Sequence, residues 1–370
     1  MRVLLVTKPL VPPWNDSAKL VPRDLARAAS GRHELHVLVT PEGRAEWPAR
    51  VRAHPLYRGA GDYRPGPLQQ LRLLAAVWRL RGAVDALHFF FQPHPAASRV
   101  ARALARACRR PTIHTVLSAP RAGADPARLL FADRTVTLSL HTARALGMDM
   151  DAAMVIPPGL AEDAPVGAAR AAAACRAAGI EPPFMLYPGD YEFSGGHALL
   201  LDIWNRSPEL PMLVLAGRAK TPRAEAHRRI VEARALSLGL EPRLRALGTV
   251  PDLPALVAAC EAVLFPAESL YGKTDLPLVI LEAWRESRPL LASDLPPLAE
   301  AVAGAGAVLP AAADAWQSAL RSLPERGRAW GEAGRRRFLE RHTALGVARA
   351  YEAIYDGIEA GSRQRDREER

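Results

Sequence analysis

Lysine is the most sparingly used charged residue in this chain. Only four of its 49 basic residues are lysines, and the other 45 are arginines. Lys8 and Lys19 flank the loop after the first apolar run, whereas Lys220 and Lys273 lie in later loops that follow other apolar runs. An ammonium group is a compact charge on a flexible stem and suits phosphate, whereas the arginine guanidinium is a planar fork. We therefore expect these loops to bind a phosphate-bearing ligand; the alternative is four surface lysines without a shared role.

Carboxylates accompany Lys273. The stretch "FPAESLYGKTDLPLVILEAW" also contains Glu268, Asp275 and Glu282. Pro277 suits the first turn of a helix, whose N-terminus offers unpaired N–H groups and a positive dipole to an anion. If Asp275 and Glu282 were both helical, they would share one face, about 10 Å apart along the axis. We favour a loop conformation for Asp275.

Histidines and cysteines suggest no metal site. His94 follows the aromatic run "HFFFQP", and His114 lies in "PTIHTVLS"; a lone histidine is more often structural than catalytic. The three cysteines are far apart and lack metal-ligand or redox spacing. "MDMDAA" matches an Asp-x-Asp metal motif by letters, but we expect it on the surface. We therefore predict neither a metal nor a resident cofactor.

The elements that must position these residues alternate along the chain. "RVLLVT" and "HELHVLVT" are typical of buried parallel strands, and helical segments separate such runs. After a Pro- and Ala-rich stretch (161–183) the pattern restarts with "FMLYPG". Two such runs in tandem predict an α/β protein with two Rossmann-like domains, whose parallel sheets face a central cleft. Ligands of such sheets bind at the carboxyl ends of the strands.

Composition places the chain among globular proteins. It is 49% hydrophobic and 24% charged, which excludes wholesale disorder. The longest uncharged stretches, such as 301–313, are too short to span a bilayer. The opening "MRVLLVTKPL" resembles a strand more than a signal peptide. These features predict a reduced, cytoplasmic protein.

The positive charge is confined to the first part of the chain. Residues 1–150 hold 23 Lys/Arg against 10 Asp/Glu, whereas residues 151–370 hold 26 against 29. Such asymmetry is typical of a domain that meets an anionic surface, although arginine-rich base composition is an alternative. The basic amphipathic segment "LQQLRLLAAVWRLRG", with Arg72, Arg79 and Arg81, suggests peripheral contact with anionic lipid at the inner face of the plasma membrane. The alternative is an ordinary helix covering a sheet. We expect no nucleic-acid partner.

Several motifs resemble those of the group-1 retaining glycosyltransferases, the glycosyltransferase family 4 type with the GT-B fold. They are the Lys273 motif followed by "RPLLASDLPPLAE", together with "VIPPGL", "LYPGD" and "LGTVPDLPALVAACEAVLFP". They cover nearly the whole chain in the family's order. The resemblance implies transfer of a sugar from a nucleotide-diphosphate donor to an acceptor, with retention of configuration and without a metal.

The resemblance also implies a domain plan. Residues 1–163 would form the acceptor-side domain and residues 164–343 the donor domain. A helix over 344–360 would pack back on the first domain. We expect the polar tail, 361–370, to be disordered.

The family's site residues are expected at matching positions. Lys273, Asp275 and Glu282 would be catalytic: Lys273 neutralises the leaving group, Asp275 faces the sugar and Glu282 binds the ribose. Further donor contacts are expected from Gly189, Ser194, Gly195, Gly196, Arg218, Lys220, Thr249, Val250, Thr274, Leu276 and Pro277. Acceptor-side contacts are expected from Asn15, Ser17, Lys19, His94 and His114. Asp16 or Ser17 could alternatively act only as a helix cap.

The chain departs from the family pattern at three points. The first of the family's two glutamates falls on Thr274, which leaves Asp275 or Glu268 as the sugar-facing carboxylate. The basic pair after the second domain's first strand is replaced by "GDYEFSGGH", and we expect Arg218, Lys220 and Lys273 to take over its role. The first domain's usual histidine falls near Leu117, where only the neighbouring His114 is available.

These features predict a retaining, hexosyltransferase-type enzyme of cell-envelope, glycan or glycolipid biosynthesis. Its acceptor is unknown and could be lipid-linked. Two alternatives remain open: a degenerate GT-B protein that binds a nucleotide sugar without turnover, and a GT-B nucleotide-sugar epimerase or phosphorylase.

Overall fold

The protein consists of two compact units, each built around one parallel sheet. The structure, a computed structural model, describes residues 1–12, 14, 16–58, 66–192, 194–219, 221–270 and 273–368. The first unit comprises Met1–Ala161, Lys273–Asp275 and Arg341–Arg370, and the second comprises Glu162–Gly272 and Leu276–Glu340. The predicted fold class, two Rossmann-like α/β domains, is confirmed. The short segment Lys273–Asp275 belongs to the first unit although the chain on either side belongs to the second.

The sheet of the first unit has seven parallel strands in the order β3-β2-β1-β4-β5-β6-β7. The apolar run at the start of the chain forms β1, an interior strand between β2 and β4, of which Val3, Leu4 and Leu5 are fully buried. Both faces of such a strand are covered, which explains why its residues do not alternate with polar ones. The strands are β1 (Arg2–Val6), β2 (Glu34–Val39), β3 (Val51–Pro55), β4 (Ala86–Phe91), β5 (Thr112–Val116), β6 (Arg134–Thr137) and β7 (Met154–Val155).

Crossover helices connect these strands, as parallel pairing requires. Most begin at a residue whose side chain accepts a hydrogen bond from the first turn, which satisfies an otherwise unpaired N–H group. The helices are α1 (Ser17–Ala28), α2 (Pro67–Leu80), α3 (Pro95–Cys108), α4 (Pro126–Leu129) and α5 (Leu140–Ala145), with a short 3₁₀ helix at Glu42–Glu46.

The sheet of the second unit has six parallel strands in the order β10-β9-β8-β11-β12-β13. In both sheets the order of strands reverses beside the first strand, between β1 and β4 and between β8 and β11. Ligands of open α/β sheets bind outside the carboxyl ends of the strands at such a switch point. The strands are β8 (Phe184–Tyr187), β9 (Met212–Ala216), β10 (Leu244–Leu247), β11 (Ala262–Phe265), β12 (Leu290–Ser293) and β13 (Ala307–Leu309).

Three tryptophans anchor the helices of the second unit. Trp204, Trp284 and Trp316 are fully buried, and each indole N–H donates to a backbone carbonyl at 2.8–3.0 Å. Burial of the ring therefore leaves no unpaired polar group. The helices are α6 (Ala168–Ala178), α7 (His197–Arg206), α8 (Pro222–Ser237), α9 (Leu253–Ala259), α10 (Leu278–Arg285), α11 (Pro296–Val302), α12 (Ala313–Arg321) and α13 (Leu323–Arg341), with a 3₁₀ helix at Glu241–Arg243.

The last helix, α14 (Ala344–Glu368), packs on the first unit against α1 and the sheet. Tyr351 and Tyr355 are fully buried there. The Tyr355 hydroxyl lies 2.8 Å from Nδ1 of His88, and the Thr115 hydroxyl lies 2.8 Å from Nε2 of the same ring. Burial lowers the pKa of His88 well below its ordinary value, so this histidine is neutral and fully hydrogen-bonded.

The expected disorder of residues 361–370 is wrong as far as Glu368, because α14 continues to that residue. A docked helix is already nucleated, so each further residue adds a hydrogen bond without a new nucleation cost. An ion pair one turn apart, between Arg363 and Glu359 at 3.0 Å, supports the extension. Within the described residues, no helix is both long and apolar enough to cross a bilayer.

We expect Tyr355→Phe to lower the free energy of unfolding by about 1–3 kcal/mol, because Nδ1 of the buried His88 loses its partner. Chemical denaturation at neutral pH measures this loss. The control is Ser362→Ala on the same helix, which removes a half-exposed hydroxyl and should change stability by less than about 0.5 kcal/mol. Equal effects of the two substitutions would contradict a structural role for the tyrosine hydroxyl.

Candidate functional site

A glycine-rich loop, Gly189–Gly196, joins β8 to α7 in the second unit and wraps around the ring of Tyr187. The Tyr187 hydroxyl donates to the carbonyl of Gly195 at 2.6 Å. A Cβ atom at Gly189 would collide with the Tyr187 ring. Gly196 has a φ of +79°, and a Cβ there would collide with the carbonyl oxygen of Pro266. The loop therefore holds its shape only with glycines at these positions.

Glu268 fixes the end of this loop through two hydrogen bonds. Its backbone N–H donates to the carbonyl of Ser194 at 2.7 Å, and its carboxylate accepts from the backbone N–H of Gly196 at 2.8 Å. Gly196 caps α7, so the carboxylate lies where the helix dipole favours negative charge. The sequence left Glu268 open as a sugar-facing carboxylate. In the structure one of its oxygens is bonded to the loop, a contact between residues 72 positions apart that no local pattern could indicate.

A second carboxylate organises the same loop. Asp190 accepts from the backbone N–H of Glu192 at 3.0 Å and from the hydroxyl of Ser194 at 3.3 Å. Its backbone pairs with that of Arg218, which follows β9. The loop that replaces the family's basic pair thus contains acidic anchors. Of the three cations expected to replace that pair, Arg218 is paired with the loop through its backbone, Lys273 belongs to the first unit, and Lys220 lies outside the described residues.

His197, the first residue of α7, was missed as a candidate. Its ring stacks on that of Tyr191 with 4.7 Å between centroids, and its exposed fraction is 3%. Burial, with a smaller contribution from nearby His227, lowers the pKa of His197 to about 4, so the ring is neutral at physiological pH. Within the part of the chain that the structure describes, its Nδ1 has no hydrogen-bond partner. The only sequence signal was its position after two glycines.

The Lys273 motif ends at α10, which follows β11. Pro277 is the cap residue rather than part of the first turn, and it offers no side-chain acceptor. Among the described residues, the cap residue of α10 therefore accepts no N–H group of the first turn, and neither does Gly196 of α7, whose own N–H donates to Glu268. Glu282 lies in the middle of α10 and is half-buried, whereas Leu276 is buried. Because β8 and β11 are neighbours, both helices start from the switch point of this sheet.

Asp275 is bound within the first unit. Its carboxylate accepts from the Ser139 hydroxyl at 2.6 Å and from the Ala119 N–H at 3.2 Å, and its own N–H donates to the Leu117 carbonyl at 3.0 Å. Only 2% of the residue is exposed, and burial raises the pKa of Asp275. The expectation that this carboxylate faces a sugar was wrong for the described state, since both of its oxygens already have protein donors. Leu117, the position of the family's histidine, supplies a backbone acceptor instead.

The two candidate histidines of the first unit have structural surroundings. His114 is fully buried between the rings of Phe91 and Phe131, and its Nε2–H donates to the Phe91 carbonyl at 3.2 Å. Burial lowers the pKa of His114 to about 3, which leaves it neutral. His94 caps α3, where its Nδ1 accepts from the N–H of Ala96 at 3.3 Å. The predicted contact between His114 and an acceptor is therefore wrong, because the ring is enclosed by protein. The same contact for His94 remains a prediction.

The loop after β1 ends in a capped helix. Asp16 accepts from the N–H of Ala18 and so is the cap, and Ser17 is the first residue of α1. Lys19 was expected in the loop but lies in the first turn of α1, buried, with its ammonium group 5.6 Å from the centroid of the Trp14 ring. Lys8 forms an ion pair with Asp16 at 2.9 Å. Asn15 lies outside the described residues.

The remaining candidates lie in two segments. Thr249 and Val250 follow β10, and Thr249 is exposed. Thr274 is buried and Lys273 is partly exposed, both within the short segment that belongs to the first unit. Structure alone assigns these residues no ligand contact, so their roles remain predictions.

One cluster among the described residues has the composition of a metal site. Ligand atoms of His33, Asp356 and Glu359 all lie within 4.8 Å of one another. Arg32 pairs with Asp356 at 2.7 Å, and the N-terminal ammonium group lies 3.5 Å from Glu359. These cations already balance the two carboxylates, so ion pairing accounts for the cluster.

Comparison with family models finds a match within the second unit. Residues 182–325 match the family model described as "Glycosyl transferases group 1". No curated protein matches the chain.

Solved structures resemble the whole chain. Alr3699/HepE of Anabaena, crystallised with UDP and glucose, has a TM-score of 0.75 at 18% identity, covering 96% of this chain and 100% of that one. A sucrose-phosphate synthase of Thermosynechococcus elongatus has a TM-score of 0.77 at 20% identity, with 98% and 100% covered. The lipopolysaccharide outer core galactosyltransferase WaaB has a TM-score of 0.66 at 12% identity, with 96% and 100% covered. At these identities the similarity establishes the GT-B fold alone.

The glycine loop can be tested by a matched pair of substitutions. Gly239 shares the positive φ of Gly196 but has nothing within 4 Å of a built Cβ atom. We expect Gly239→Ala to cost about 1–2 kcal/mol of stability from backbone strain alone. Gly196→Ala should cost a further 1–3 kcal/mol because the Pro266 carbonyl must also move. Equal losses in chemical denaturation would show that the close approach is absent.

Proposed function

We propose that the protein is a retaining glycosyltransferase, because residues 182–325 match the family model of group 1 glycosyl transferases and the whole chain has the GT-B fold. It transfers a sugar, a hexose in our proposal, from a nucleotide diphosphate to an acceptor. The bond between the anomeric carbon and the phosphate oxygen breaks, and the nucleotide diphosphate leaves with the electron pair. An acceptor hydroxyl oxygen takes its place on the same face, and the hydroxyl proton passes to the departing diphosphate.

One observation carries this proposal. The glycine loop before α7 and the Lys273 motif before α10 follow the adjacent strands β8 and β11, where the order of the sheet reverses. Neither cap residue, Gly196 or Pro277, has a side chain that accepts from the first turn. The N–H of Gly196 is bonded to Glu268, so we propose that the N–H groups that follow it at the start of α7, and those at the start of α10, meet the phosphate. A diphosphate at this edge would meet two helix N-termini together with Arg218.

The charges of the described residues favour a source of positive charge outside the glycine loop. Asp190 and Glu268 make the glycine loop acidic, so the loop itself cannot neutralise a leaving pyrophosphate. We propose that Arg218, Lys220 and Lys273 supply the positive charge. Glu282, half-buried on α10, would bind the ribose hydroxyls.

For the acceptor and the pathway we propose only a broad class. HepE was crystallised with UDP and glucose, and WaaB acts on the lipopolysaccharide outer core. These relatives support testing UDP-hexoses first and a role in cell-envelope or glycolipid biosynthesis, with an acceptor that could be lipid-linked.

A specific observation favours a second candidate, a protein that binds a nucleotide sugar without turnover. The carboxylate of Asp275 is bonded to Ser139 and Ala119, and that of Glu268 is bonded to Gly196. If neither carboxylate is released when the donor binds, neither of these two acidic groups can contact the sugar.

Donor binding and turnover separate these candidates. We expect one class among UDP-, GDP-, ADP- and TDP-sugars to raise the melting temperature, since a ligand at 100 times its Kd stabilises by about 2.7 kcal/mol. The enzyme should also release free nucleotide slowly from that donor, because water can replace the acceptor. Stabilisation without release over hours would establish the non-catalytic candidate, and no stabilisation by any donor would contradict both.

Substitution of Lys273 tests the proposed chemistry. Lys273→Ala should lower kcat/KM by roughly two orders of magnitude, because the lost cation stabilises charge that grows in the transition state. Lys273→Arg should restore little activity, since a planar fork does not occupy the position of a point charge. Full activity of Lys273→Arg would leave Lys273 with no role beyond positive charge.

The matched control is Glu282→Ala. The ribose contact exists both before and during the reaction, so this change should weaken nucleotide affinity by roughly tenfold or more and affect kcat less. Calorimetric titration with the nucleoside diphosphate distinguishes the two variants. A loss of affinity in Lys273→Ala as large as that in Glu282→Ala would argue against a transition-state role for the lysine.

A further inference from the structure

Helix α2 of the first unit has two apolar faces, of which one packs on the core and the other is exposed. Val77 is buried, and Leu73, Leu74 and Leu80 pack against the core formed with Leu4 and other sheet residues. On the other side of the helix, Leu68, Leu71 and Trp78 are 74%, 61% and 48% exposed.

The three exposed residues form one stripe. Their spacings of three and seven residues place them on the same side of a helix, with exposed Ala75 between them. Exposed apolar residues elsewhere do not align in this way: Ile230 and Leu236 of α8 are 64% and 62% exposed but are six residues apart and so lie on different sides. A contiguous exposed apolar stripe marks an interaction surface, whereas scattered residues do not.

The surface around the stripe is basic. Helices α2 and α3 pack against each other and carry five arginines and no acidic residue. Over residues 66–124 the only acidic residue is Asp85, which is bonded to Arg2 at 2.7 Å. The guanidinium group of Arg81 lies 3.7 Å from the centroid of the Trp78 ring, next to exposed Arg79.

We propose that α2 docks the protein on the surface of an anionic lipid bilayer. Leu68, Leu71 and Trp78 enter the headgroup region, and Arg72 and Arg79 meet the lipid phosphates. The Trp and Leu side chains match the apolar boundary of the acyl chains, and the Arg side chains beside them match the anionic headgroups.

Other occupants fit less well. A nucleic acid would engage the arginines but has no need of the exposed leucines. A second copy of the chain would bring two arginine-bearing faces together, and like charges repel. The inference uses no catalytic residue and no nucleotide, so its failure would leave the proposed glycosyltransferase activity untouched.

Vesicle flotation tests the proposal with the full chain. We expect binding to phosphatidylcholine vesicles that contain phosphatidylglycerol, and little binding to vesicles of phosphatidylcholine alone. Binding should weaken as salt rises, since the charges are exposed and screened. Equal binding to both vesicles, or none to either, would overturn the proposal. So would binding to heparin or DNA at physiological salt without binding to anionic vesicles.

Two sets of variants separate the roles of charge and apolar contact. Arg72→Gln with Arg79→Gln should lower the partition coefficient about 30-fold, since each arginine near an anionic surface contributes about fivefold. Leu68→Ser with Leu71→Ser should lower it by about tenfold or more. The control, Ile230→Ser with Leu236→Ser, removes equally exposed side chains and should not change binding. Loss of binding in the control alone, or unchanged binding in both α2 variants, contradicts the assignment of α2.

A spectroscopic measurement places the surface directly. Lipids brominated near the headgroup should quench part of the tryptophan fluorescence, because Trp78 enters their layer, whereas the other six tryptophans lie outside α2. Trp78→Phe should abolish most of this quenching while the protein still binds. Quenching that persists in Trp78→Phe would show that another surface meets the lipid.

Discussion

All strand pairs described in the two sheets are parallel, and this constraint decides where the functional loops can lie. A parallel neighbour is reached only through a crossover, so the loops that leave the carboxyl ends gather along one edge of each sheet. In the second unit the glycine loop follows β8 and the Lys273 motif follows β11. In the first unit, Leu117 and Ser139, which hold Asp275, follow β5 and β6. Within each unit these loops are far apart in sequence, and the order of the strands brings them to the same edge of the sheet.

Much of the fold could be predicted because buried parallel strands have runs of apolar residues in the sequence, such as Arg2–Val6 and Phe184–Tyr187. The motif that carries Glu282 also begins a helix within one residue of expectation. The surroundings of individual side chains could not be predicted. His114 lies on a short strand whose two faces are both covered, so sequence alternation cannot say what its ring meets. Glu268 and Gly196 meet because β8 and β11 are neighbours, which depends on sheet order rather than on local pattern.

Three carboxylates accept hydrogen bonds from loop backbone at positions where cations or reacting groups were expected. Glu268 and Asp190 satisfy N–H groups of the glycine loop, and Asp275 satisfies an N–H group after β5. An ionised acceptor forms a stronger hydrogen bond with a backbone N–H group than a neutral one does. These loops are therefore ordered by their own anions. A phosphate ligand must be attracted by charge from residues outside the glycine loop.

The return of α14 to the first unit imposes an order on biosynthesis. Tyr351, Tyr355 and Ile358 belong to the same core as β1, yet the entire second unit is translated between them. At 5–20 residues per second, the roughly 180 intervening residues delay completion of that core by about 9–36 s. During this time the surface of the first sheet that α14 covers is exposed. The second unit can fold in the same interval, because its segments are nearly consecutive in sequence. Nascent chains of this protein therefore have a built-in interval in which a chaperone can bind.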